Sequence, residues 1–97
     1  MPITNLVAVT GTATLVPASG TLATSLFRTS LSISVAGSVT FMDGTATAFG
    51  PIILATGTPY VLPYEGVPWF TGGTGNPLTL VVSGVASVNG NIVYSQG

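Results

Sequence analysis

Between Phe27 and Val35 the side chains alternate with a period of two. Phe27, Thr29, Leu31, Ile33 and Val35 fall on one set of positions, and Arg28, Ser30, Ser32 and Ser34 on the other. Successive side chains of an extended strand point to opposite faces, so one face here is apolar and the other rich in hydroxyls. That is the pattern of a half-buried antiparallel strand, and no window of helical length carries a comparable 3.6-residue stripe. Thr, Val and Ile recur throughout, and their branched Cβ atoms favour strands. Gly and Pro interrupt nearly every gap between such runs. The chain is therefore expected to be all-β.

Extended with the same rules, the pattern gives about eight short strands, separated by turn signals every 8–12 residues as in a sandwich. Strand-like pieces lie at Leu6–Thr10 and Ala13–Val16, followed by the breaker Pro17-Ala18-Ser19-Gly20. Further strands are expected near 24–35 and 38–42, then a hairpin turn at Asp43-Gly44, then pieces near 45–48, 52–55 and 59–63. Pro63 to Phe70 reads as a proline-rich loop with aromatics, and Thr71 to Pro77 as a flexible connection. The whole is expected to be one domain over 1–97. It divides into an extended N-terminal arm (1–22) and a compact, jelly-roll-like antiparallel β-sandwich (23–97).

The last stretch needs a finer argument. Asn89-Gly90 is a strong two-residue hairpin signal. A turn there would set Val88 opposite Asn91 and Ser87 opposite Ile92, mixing polar and apolar side chains on both faces. The alternation of Leu78, Leu80, Val82, Ala86, Val88, Ile92 and Tyr94 survives if the chain runs straight through Gly90 as a site of close approach. It also survives a reversal at Ser83-Gly84-Val85. The expectation is a hairpin turning near Gly84 and a long final strand through Gly90.

Composition enters when function is asked for. Only Arg28, Asp43 and Glu65 carry charged side chains, 3% of the chain, with no Lys, His or Cys, against about 25% in an ordinary domain. One Arg cannot supply the basic patch that a nucleic-acid partner needs. No His or Cys cluster exists to hold a metal, no thiol to form a disulfide, and no His to activate one of the 15 Thr or 9 Ser hydroxyls. Enzyme activity and a cofactor are not expected. Mean hydropathy is +0.73, yet the uninterrupted apolar runs, such as Leu6–Val9 and Ile52–Ala55, are far short of the ~20 residues of a spanning helix. A membrane partner is not expected, and the start Met1-Pro2-Ile3-Thr4-Asn5 reads as a cytoplasmic product without a secretory leader. A net charge of −1 leaves little repulsion between copies. A chain of this size buries only about two-thirds of its unfolded surface by itself. Both facts point to burial against other subunits.

Three candidate contact groups follow. Ile3, Leu6 and Val7 are apolar contact points on the arm. Arg28 either pairs with one of the two carboxylates, Asp43 or Glu65, at a subunit contact, where a bidentate bond fixes register, or all three side chains stay solvated. Tyr60, Tyr64, Trp69 and Phe70 either form a recognition platform or pack one end of the sandwich. The recurring Thr-X-Thr pairs follow no fixed period and suit the solvent faces of strands.

The order of signals from Leu31 to Tyr94 resembles small structural proteins of tailed bacteriophages. The matching residues are Val39-Thr40-Phe41-Met42-Asp43-Gly44, Gly50-Pro51-Ile52 and Val61-Leu62-Pro63-Tyr64, then Trp69-Phe70 and Asn76-Pro77-Leu78-Thr79-Leu80. The resemblance implies a virion β-sandwich subunit of the capsid decoration (cement) type. Such a subunit is often a homotrimer, seated on the major capsid protein at the capsid surface. Residues 1–22 have no counterpart in that pattern, and their role as a clamping arm is read from this chain alone. The rival expectation is a virion-surface or fibre module binding host glycans through Tyr60, Tyr64 and Trp69.

Overall fold

A computed structural model describes residues 1–97. It contains nine strands and no helix: β1 (Ile3–Val9), β2 (Thr12–Val16), β3 (Thr24–Ile33), β4 (Gly37–Asp43), β5 (Ala46–Leu54), β6 (Tyr60–Leu62), β7 (Phe70–Thr71), β8 (Leu78–Val82) and β9 (Val88–Gln96). The pairing is nested. β4 pairs with β5, β3 with β6 and β7, β2 with β8, and β1 with β9, every pair antiparallel. The chain is thus doubled back on itself about one tight turn, Gly44-Thr45, where Asp43 faces Ala46 and Gly44 takes a positive φ of 62°. The doubled ribbon is then rolled, so that β3 also lies beside β9 and β4 beside β8. The result is two sheets, ordered β1-β9-β3-β6 (with β7 continuing the β6 position along β3) and β2-β8-β4-β5. This is the eight-position antiparallel sandwich of a jelly roll.

Between the sheets lies a single core in which Leu26, Leu31, Val39, Phe41, Leu80, Val88 and Ile92 are almost completely buried. Leu78, Leu80 and Val82 point inward from β8, and Val88 and Ile92 from β9. The alternation therefore runs as the sequence requires, and β9 passes straight through Gly90. A Cβ at Gly90 would collide with the Ser30 carbonyl oxygen, and its φ is +147°, so only Gly lets β3 and β9 approach there.

Three expectations about the strands change. The chain does reverse around Gly84, but β8 and β9 do not form a hairpin. Residues 83–87 cross from one sheet to the other, and each strand pairs with a partner distant in sequence. Parity cannot separate the two cases, because a hairpin and a cross-sheet arch both turn the same side chains inward. The pieces near 45–48 and 52–55 join into one strand, β5, irregular about Gly50 where its register against β4 shifts. Residues 1–22 are extended but do not stand apart as an arm. β1 and β2 are the outer strands beside β9 and β8, and Leu6, Leu15 and Val16 belong to the core. The physical reason is that the doubled ribbon needs its first two strands to cover its last two.

The Gly-rich connection after β7 is tied down rather than loose. Gly72 and Gly75 donate backbone N–H bonds to the carbonyls of Thr24 and Leu22 (both 2.9 Å), and Asp43 Oδ2 accepts from Gly73 N at 2.9 Å.

Candidate functional site

The outer faces of the two sheets differ in chemistry. On the β2-β8-β4-β5 sheet, cross-strand pairing aligns Thr12 with Val81 and Thr40, and Thr14 with Thr79, Met42 and Thr47. Ile53, opposite Ser38, is 81% exposed. This face offers hydroxyls and methyls and no charge.

The other sheet carries most of the expected contact residues. On β1 the inward Leu6 is 2% exposed, whereas Ile3 and Val7 project outward at 61% and 79%. Pairing places Ile3 beside Val93, and Val93 beside Arg28. The next row runs Asn5, Asn91, Ser30 and Val61 across four strands. The face has a polar centre, Asn5, Asn91, Ser30 and Arg28, between two apolar margins. Ile3 and Val7 form one margin. Val61 and Tyr64 form the other.

A local irregularity decides where Phe27 and Arg28 point. Between Leu26 and Arg28 the register against β9 shifts by one residue, the mark of a β-bulge. Leu26 is fully buried, Thr29 is fully buried, and Phe27 and Arg28 between them are half-exposed. Phe27, expected on the inward face, is instead free to stack on Tyr64 at 5.8 Å between centroids. Arg28 Nη1 donates to Asn91 Oδ1 at 3.3 Å, so its partner within the chain is a neutral amide rather than a carboxylate. Thr29 Oγ1 donates to the Asn91 carbonyl at 3.1 Å, which satisfies the buried hydroxyl.

The aromatic group does not act as one platform. Tyr60 packs against the core from the end of β6, and Phe70 meets Phe41 and Phe49 at centroid distances of 5.9 and 6.2 Å. Trp69 donates its indole N–H to the Pro63 carbonyl at 2.9 Å, which closes the 63–69 loop. Tyr64 is the open ring, at 53% exposure, and Glu65 follows it on the exposed loop.

Of the expected contact residues, then, Ile3, Val7, Arg28, Tyr64 and Glu65 lie on or at the rim of one face. Leu6 is a correction: it is core, not contact. Tyr60 and Phe70 are packing residues, and Trp69 is a loop fastener. Asn5, Phe27, Val61, Asn91 and Val93 complete the face but were not singled out from the sequence. For Asn5, Asn91 and Val93 the alternation within β1 and β9 carried the signal for direction, whereas Phe27 is turned outward by the bulge. What brought them together was pairing between residues as distant as Ile3 and Val93.

No protein-family model matches the chain, and neither a curated protein nor a solved structure shows significant similarity to it. The fold and the surface therefore define the class by themselves: a small antiparallel jelly roll with nearly uncharged outer faces.

Proposed function

We propose that this jelly roll is a virion structural protein, a capsid decoration (cement) subunit that sits as a small homo-oligomer on the major capsid protein of a tailed phage. The observation that carries the reading is the near absence of charge from both sheet faces, combined with exposed apolar side chains such as Ile3, Val7 and Ile53. A free monomer has little use for such a surface, whereas a subunit fastened on several sides has. The jelly roll suits the role, since the architecture recurs in viral capsid proteins, although folds alone do not assign functions.

The mechanism is mechanical. The Thr-rich face supplies hydroxyl and methyl contacts to the shell, and many modest contacts repeated around the particle multiply through avidity. Attachment runs through faces rather than through a donated N-terminal arm, because residues 3–16 are already committed to both sheets. Contacts with so little charge are barely screened, so binding is expected to survive high salt. The glycan-binding alternative gains no support from Tyr60, Tyr64 and Trp69, whose rings have separate local partners.

The test is to purify particles that encode this chain, wash them in 1 M NaCl, and image them at near-atomic resolution. Copies retained on the outer capsid surface are the expected result. Loss of the protein in salt, or its absence from the particles, overturns the reading.

A further inference from the structure

We infer that the outer face of the β1-β9-β3-β6 sheet is the contact between copies of this chain, with Arg28 of one copy meeting Glu65 of the next. The inference rests on the oligomer in the reading above and names the surface that builds it.

The first argument is charge. Arg28 is the only side-chain cation, and its hydrogen-bond partner within the chain is the Asn91 amide oxygen. Of the two carboxylates, Asp43 is engaged at 2.9 Å by Gly73 N and lies beside the Gly72–Asn76 loop. Glu65 is exposed on its loop and takes part in no side-chain hydrogen bond. The chain thus carries one cation on a sheet face, reaching to Asn91, and one exposed anion next in the chain to Tyr64, whose ring stacks on Phe27 of that face. A second copy supplies the complement to both.

The second argument is what surrounds them. Ile3 is exposed in Arg28's own row and Val61 in the next, Val7 lies further along β1, and the exposed Tyr64 and Val67 stand on either side of Glu65 in the chain. An apolar margin around a paired charge excludes water and gives the pair direction, as at the centres of protein interfaces. Pairing of sheet edges, the other route by which β-proteins associate, is obstructed on all sides. β1 is irregular at Ala8 (φ 48°), β2 shifts register between Thr14 and Val16, and β5 shifts register about Gly50 and carries Pro51, which has no N–H to donate. The fourth edge is split into β6 and β7 by the 63–69 loop. The faces remain, and of the two only this one bears charge that can set a register.

The test is charge reversal and rescue in the purified full chain, read by sedimentation or light scattering across a concentration series, with circular dichroism to show that each variant is folded. Arg28→Glu and Glu65→Arg each place like charges opposite one another and are expected to weaken self-association about tenfold or more. The double variant R28E/E65R restores the opposite signs and is expected to return to within about threefold of the unaltered chain. A dimer and a trimer both satisfy the proposal: the pair occurs twice across a two-fold dimer contact and once at each contact of a three-fold ring. It is overturned if the unaltered chain is a monomer at all concentrations, or if single and double variants associate alike. In the second case capsid attachment still stands or falls separately, by the particle experiment.

Discussion

Gly90 shows how one residue fixes the relation of two strands. Its neighbours Ser30 and Leu31 on β3 leave no space for a side chain, and its positive φ suits glycine alone. Gly90→Ala is expected to cost about 3 kcal/mol or more, because steric overlap with backbone adds to conformational strain. Urea unfolding would check it, with a lowered midpoint at an unchanged slope as the expected outcome. The residue was legible in the sequence: side-chain parity ruled out a turn at Asn89-Gly90 and left close approach as the reason for glycine there. Phe27 was not legible. It shares the apolar parity of Leu31 and Ile33, and only the extra residue opposite Val93 and Tyr94 turns it to the outside. A bulge depends on the partner strand, and a single sequence does not say which strand that is.

At the level of elements, the first two strands give the sharpest test. An arm could be removed with the sandwich intact. Removing β1 and β2 takes away the buried side chains of Leu6, Leu15 and Val16, each worth about 1.5–3 kcal/mol, and uncovers the flanks of β8 and β9. Against a total stability of about 5–15 kcal/mol, deletion of residues 1–16 is expected to abolish cooperative thermal unfolding. A truncated chain that melts sharply near the parent temperature would restore the arm. The sequence marked these segments as extended and marked the break after Val16, so their local form was readable. Their place was not. Leu6 meets Gly90 and Ala13 meets Leu80, and neither partnership leaves a trace in local alternation. The same holds for the candidate face: Ile3, Val7, Arg28, Tyr64 and Glu65 were nominated one by one, while the row joining Asn5, Asn91, Ser30 and Val61 exists only after pairing.

For the molecule as a whole, the nested pairing sets the kinetics. Only the β4–β5 hairpin joins strands adjacent in the chain. The remaining pairs close progressively larger loops, out to Ile3 with Val93. Loop closure of this kind precedes the contacts that reward it, so folding is expected in the millisecond-to-second range rather than in microseconds. Trp69 is the sole tryptophan, and its indole is fixed to Pro63, which makes it a single fluorescent reporter for a stopped-flow refolding experiment. A microsecond phase carrying the full amplitude would contradict the nested topology as the determinant of rate.

The interrupted margins of both sheets have a bearing on crowding. A polypeptide with so little electrostatic repulsion between copies is at risk of growing without limit by stacking strand upon strand into fibres. Ala8, the offset at Leu15, Pro51 and the 63–69 loop deny it a template on every flank. Growth is left to the sheet faces, which in the proposed oligomer saturate once a closed ring or pair is complete; that is the difference between a protein that tiles and one that precipitates.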